Sequence, residues 1–181
     1  MKSVLIIATD GFEQSELMEP KSRLEEAGAK VTIASLASGE IEGWDDGNWG
    51  ESVAVDLTVE DVSVDDYDAL LLPGGQINPD ILRLNDRVIE LVRAFDRQSK
   101  PIAAICHAPW LLVEADIVDG KVVTSWPSVR TDLRNAGGQV VDQQVAVDGH
   151  FITSRNPDDI PAFTAALKDA LSMSERVSEN A

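Results

Sequence analysis

Short apolar runs alternate along the chain with stretches whose apolar residues recur every three or four positions. That alternation predicts an α/β domain with a mostly parallel sheet and helices on both faces. Val4-Leu5-Ile6-Ile7-Ala8 is continuously apolar, the mark of a strand buried on both sides. A helical stretch covers about residues 13–27, and Gly28 is placed to end it. Residues 31–34 read as the next strand. Residues 39–50, rich in Gly, Asp and Trp and without periodicity, read as a loop, and the alternating residues 53–57 as an edge strand. Residues 69–72 form a core strand that stops at Pro73-Gly74-Gly75. Asp86 is placed as the N-cap of a helix carrying Val88, Leu91, Val92 and Phe95. Residues 101–105 are another buried strand, followed by a strand at 122–124 and a helix through Leu133. Residues 145–147 and 151–153 predict a hairpin with a primed turn at Asp148-Gly149. Asn156-Pro157 caps a last helix with Asp158 and Asp159 in its first turn. One domain over residues 1–173 is expected, followed by a polar tail at 174–181.

The length of 181 residues suits a single domain that buries about 70 % of its unfolded surface and needs no disulfide or metal to hold a core. No apolar run approaches the ~18 residues of a membrane helix, and no secretory leader is expected ahead of the first strand. With a lone cysteine, these features point to a reducing cytoplasm. Asp and Glu number 32 against 15 for Lys and Arg, a formal net charge of -17. Such a field repels duplex nucleic acid and anionic lipid, so neither is expected as a partner. The scattered acids are either a self-repelling soluble surface or an adaptation to a salt-rich cytoplasm.

Candidate chemistry centres on Cys106. A buried strand ends at this residue and a helical pattern begins at once, the arrangement of a nucleophile on a strained strand-to-helix turn. Ala104 and Ala108 are small enough for the close approach of strand and helix that such a turn requires. The helix N-terminus favours thiolate there; a lone buried cysteine is commonly inert core, but the position at a carboxyl strand end favours function. His107 is either a base or a space-filling neighbour, and His150 reads as a solvated residue of the hairpin turn. Two histidines and one cysteine are too few for a structural zinc. Gly74 and Gly75 follow a buried strand and offer unhindered amides, so Gly75 and His107 N–H could hold an oxyanion. Pro20 cannot donate to the Glu16 carbonyl, which predicts a kink or fraying that could turn Glu16 inward. By spacing alone, Glu13 and Glu16 are ordinary solvated helix charges.

Together, Ala103-Ala104-Ile105-Cys106-His107, Leu72-Pro73-Gly74-Gly75, Gly11-Phe12-Glu13 with Glu16, and Thr124-Ser125-Trp126-Pro127-Ser128 resemble the ThiJ/PfpI superfamily. Gly43-Trp44-Asp45 through Trp49-Gly50 and Ser154-Arg155-Asn156-Pro157-Asp158-Asp159 resemble its PfpI-type peptidase and deglycase branch. The resemblance spans nearly the whole chain, in order. It implies a flavodoxin-like three-layer sandwich, class I glutamine-amidotransferase-like, with Cys106 as nucleophile and a protonated Glu16 against the sulfur. It makes His107 part of a Cys-His-acid triad whose acid comes from a neighbouring subunit of a dimer or hexamer. That acid position matches Asp80, where the branch usually has Glu. Ala108 stands where the family has Gly, and its methyl narrows the site that Glu13 and Trp126 help to line. The implied activity is a cofactor-free, metal-free, stress-protective cysteine hydrolase acting on a small carbonyl or peptide substrate. Two alternatives are a glyoxalase that adds Cys106 to methylglyoxal, and a non-enzymatic redox sensor or holdase chaperone.

Overall fold

The computed structural model describes residues 1–173; the polar tail expected at 174–181 lies outside the described residues. Twelve strands and six helices follow one another. The first half holds β1 (Ser3–Ile7), β2 (Phe12–Glu13), α1 (Gln14–Glu26), β3 (Lys30–Ser35), β4 (Glu40–Asp45), β5 (Asn48–Ala54), β6 (Leu57–Thr58), β7 (Ala69–Leu72) and α2 (Ile77–Leu82). The second holds α3 (Asp86–Arg97), β8 (Ile102–Ile105), α4 (Pro109–Glu114), β9 (Val122–Val123), α5 (Arg130–Asn135), β10 (Gln139–Val140), β11 (Ala146–Asp148), β12 (Phe151–Ser154) and α6 (Ile160–Ala170). No helix among the described residues is long and apolar enough to cross a membrane.

The central sheet has seven strands in the order β11-β12-β8-β7-β1-β3-β6. Every pairing in it is parallel except that of β11 with β12. Strand alternation divides the core into two layers. Leu5, Ile7, Leu70, Leu72 and Ala104 pack with Val88, Val92, Phe95 and Leu111 of α3 and α4. Val4, Ile6, Leu71, Ala103 and Ile105 pack on the other face with Leu17, Leu24, Phe163 and Leu167 of α1 and α6. These two layers around one sheet are the three-layer, flavodoxin-like sandwich. Chain order runs outward from β1 to β3, then returns to place β7 on the other side of β1. Open α/β sheets bind their ligands at the carboxyl ends of strands flanking such a reversal.

Several local expectations change. Residues 39–50 are not a loop: β4 and β5 form an antiparallel hairpin. Its turn residues Asp46 and Gly47 have φ of 47° and 79°, the positive pair of a type I′ turn that Asp-Gly favours. The strand expected at 53–57 splits, because Val53 belongs to β5 while Leu57 joins β6 on the edge of the main sheet. The N-cap of α3 is Asn85, whose side chain accepts from Val88 N–H, and Asp86 is already helical. Pro20 lies inside an unbroken α1. That helix ends in a Schellman motif, with Gly28 N–H donating to Glu25 and Ala29 N–H to Leu24. The β11–β12 turn is Gly149-His150, since Asp148 pairs with Phe151. Asn156 caps a short 3-10 turn before α6 proper begins at Ile160. His150 is not freely solvated: its Nε2 lies 2.7 Å from Asp96 Oδ1, fastening the hairpin to α3.

Candidate active site

The carboxyl ends of β1, β7 and β8 converge on Cys106. The chain leaves β8 through this residue at φ 64°, a left-handed conformation that L-residues with a side chain adopt at a cost of about 1–2 kcal/mol. Two backbone bonds hold it there: Cys106 N–H donates to Ser154 C=O at 3.0 Å, and Cys106 C=O accepts from Trp126 N–H at 2.9 Å. Ala104 and Ala108 are both fully buried, so the close packing expected of the turn is present. Ala108 caps α4 and does not line the cavity.

Glu16 sits in the first turn of α1, fully buried. Position in that turn, not a break at Pro20, turns it inward. Its Oε2 accepts from Gly74 N–H at 2.7 Å, while Oε1 is buried with no hydrogen-bond partner. Gly74 is glycine for lack of room. A Cβ there would stand 2.5 Å from Glu16 Oε2 and 2.8 Å from Cys106 Cβ. The Gly74 amide is therefore committed to the carboxyl and is not free to serve an oxyanion. The amides of Gly75 and His107 instead face the Cys106 sulfur.

Burial holds the Glu16 carboxyl well above the usual carboxylate range, despite the Gly74 bond, and so favours its protonated form. Burial also pushes the Cys106 thiol up, and an ionised Glu16 would push it further; the two amides pull it down. The low thiol pKa expected from the helix N-terminus is thus overturned, because desolvation outweighs the dipole. A protonated Glu16 removes its Coulombic push on the thiol, and the Gly75 and His107 amides are placed to stabilise charge that develops on sulfur during reaction. His107 Nδ1 lies 3.2 Å from Sγ. Burial lowers the imidazole pKa, so the ring is neutral at pH 7 and able to accept the thiol proton. That tautomer leaves a hydrogen on Nε2, which is buried without a partner. The ring stacks on Trp126 with centroids 5.8 Å apart and meets Trp110 edge-on at 5.2 Å.

Asp80 lies on α2, exposed to solvent, and among the described residues it does not bond His107. Beside it is a residue that pattern reading missed. Asn78 is fully buried. Its Oδ1 accepts from Thr9 N–H at 2.8 Å, and its Nδ2 donates to Pro73 and Gly74 C=O at 2.9 and 3.2 Å. It ties the loop after β1 to the loop after β7 and so positions the Gly74 amide. Nothing in the spacing around Asn78 announces a staple.

A cavity of about 440 Å³ opens over the sulfur, lined by Glu13, Glu16, Trp44, Gly75, Cys106, His107 and Trp126 among others. Glu13 is half-buried and held above the usual carboxylate range by burial and by Asp45. Among the described residues no group of three or more His, Cys, Asp or Glu is arranged to hold a metal.

A reversed parallel sheet with a strained cysteine over a buried acid defines a class of cysteine-centred α/β domains. The chain belongs to the DJ-1/PfpI family, whose pattern matches residues 2–170. It is 41 % identical over 160 residues to a Pyrococcus furiosus protein named deglycase PfpI, covering 88 % of this chain and 93 % of that one. It is 40 % identical over 176 residues to general stress protein 18 of Bacillus subtilis, covering 97 % and 99 %. The crystal structure of Drosophila melanogaster DJ-1beta superposes with a TM-score of 0.83 at 34 % identity, covering 95 % of this chain and 90 % of that one.

Proposed function

We propose that the protein is a cysteine-dependent hydrolase of small carbonyl adducts, of the deglycase type, with Cys106 as nucleophile. The observation that carries this is the left-handed Cys106 beneath an open cavity, its sulfur 3.2 Å from a neutral His107. Cys106 sulfur bonds to the carbon that carries the amine as the thiol proton passes through His107 Nδ1 to the departing nitrogen, so a C–S bond replaces the C–N bond. A hydrogen then moves from that carbon to the neighbouring carbonyl carbon, which turns the hemithioacetal into a thioester with no external oxidant, while the Gly75 and His107 amides face the charge that develops on oxygen. Water hydrolyses the thioester, releasing the hydroxy acid and returning the proton to sulfur. The names of the relatives support this substrate class. Among the described residues His107 Nε2 has no acceptor.

In this reading the acceptor is Asp80 of a second copy, and the protein works as a dimer or hexamer. Light scattering should give at least twice 19.6 kDa, and Asp80→Ala should lower turnover. A monomeric mass with undiminished Asp80→Ala activity would remove Asp80 from the site. The unpartnered Glu16 Oε1 favours a second reading, a glyoxalase in which the carboxyl moves a proton between the carbons of a sulfur-bound methylglyoxal. Turnover of free methylglyoxal, a methylglyoxal–amine adduct and a fluorogenic peptide by wild type and Cys106→Ala separates these activities. Equal rates in both proteins would exclude all of them.

A further inference from the structure

We infer that the cavity selects substrates bearing a cationic group, an ammonium or guanidinium, which docks against Glu13 and the indole of Trp44 while the carbonyl meets Cys106. This rests on the reading of Cys106 as a nucleophile toward carbonyls and names the substrate class that site admits. In the small three-stranded sheet, Glu13 of β2 lies opposite Trp44 of β4, and Trp44 lies opposite Trp49 of β5. Opposed residues share a sheet face, so the acid and the two indoles form one row. Trp49 supports Trp44 edge-on, with ring centroids 5.3 Å apart. Trp126 contributes a second indole to the cavity wall. An acid beside indole faces is the surface chemistry that receives ammonium and guanidinium groups.

The remaining lining sharpens the sign. Among the described residues, the cavity is lined by two acids and by no Lys or Arg. The charge falls to Glu13, which is half-buried where Glu16 is fully buried, and Glu13 makes no ion pair among the described residues. Burial and Asp45 both disfavour that charge, and a bound cation would offset both. Glu16 is fully buried on the floor of this cavity, its Oε1 without a hydrogen-bond partner among the described residues. The net charge of -17 adds a long-range field that draws cations and repels anions.

Three linear aldehydes of equal length, ending in a guanidinium, a neutral urea or a carboxylate, test the inference. Each adds reversibly to Cys106: the S–H adds across the C=O, a C–S bond forms, and the proton ends on oxygen. The readout is the aldehyde concentration that halves Cys106 alkylation by neutral iodoacetamide, at about 0.5 M salt to screen the long-range field. The guanidinium aldehyde should protect at about tenfold lower concentration than the urea, and the carboxylate should protect least. In Glu13→Gln the guanidinium-to-urea ratio should fall toward one. Equal protection by all three in wild type, or a ratio that survives Glu13→Gln, overturns the inference. Absence of protection by any aldehyde overturns the nucleophile reading beneath it, and equal protection cannot be mistaken for that result.

Discussion

Replacing Glu16 with Gln separates charge from hydrogen bonding at the reactive sulfur. The side chain is fully buried and takes the Gly74 N–H at 2.7 Å. A Gln in the same rotamer keeps that acceptor and puts an amide donor where the carboxyl proton stood. Were Glu16 ionised, two unit charges about 5 Å apart at an effective dielectric near 20 would repel by roughly 3 kcal/mol. Gln would then drop the pH midpoint of Cys106 alkylation by about 2 units. With Glu16 neutral, one uncharged donor replaces another, and the midpoint rises by less than about 1 unit. Stability carries the same sign information in a Cys106→Ala background, where the thiol no longer titrates. The raised carboxyl pKa in the folded state contributes stability that is complete below the unfolded value of ~4.3 and is lost as pH rises through the folded value. Gln has no such loss. Melting curves between pH 4 and 9 should therefore shift progressively in favour of Glu16→Gln. A thiol midpoint falling by two units, or a melting difference independent of pH, would refute a protonated Glu16.

Cys106→Gly should be more stable than Cys106→Ala by about 1 kcal/mol in urea unfolding, because only glycine accepts φ 64° without strain; equal midpoints would mean the turn is unstrained. Asn78→Ala should lose about 2–5 kcal/mol, since Thr9 N–H and Pro73 C=O are left unpaired at a buried position. A loss below ~1 kcal/mol would show that the two loops hold together without it. If the net charge of -17 limits stability, the melting temperature should climb as KCl rises from about 0.2 to about 2 M. A flat or falling curve would leave the acidic surface as a matter of solubility alone.

The sheet strands and the Cys106 elbow were legible because each is written in contiguous residues. A run such as Val4-Leu5-Ile6-Ile7 has one stable use, between two helical layers. The β4–β5 hairpin was missed because Gly43 and Gly50 mask its alternation, although Asp46-Gly47 carried a turn signal. Glu16 reads as a solvated helix charge by spacing, and what pointed it inward was the resemblance and a break at Pro20 that α1 does not show. Its burial depends on Gly74, a partner 58 residues away. Asn78 was invisible for the same reason, joining Thr9 across 69 residues. The thiol's direction was misjudged because a dipole can be inferred from a turn, whereas desolvation depends on everything packed around it.

The left-handed turn at Cys106 also sets an order of events during synthesis. Its N–H is held by Ser154 and its C=O by Trp126, both later in the chain. A ribosome that has just released Cys106 has produced neither anchor, and an unanchored cysteine relaxes to ordinary backbone geometry. Until β12 docks beside β8, the nascent chain carries an ordinary, solvent-exposed thiol. The buried sulfur beside Glu16 comes into being only after Ser154 has been made. Alkylation of Cys106 on stalled chains of increasing length would therefore time the closure of this domain.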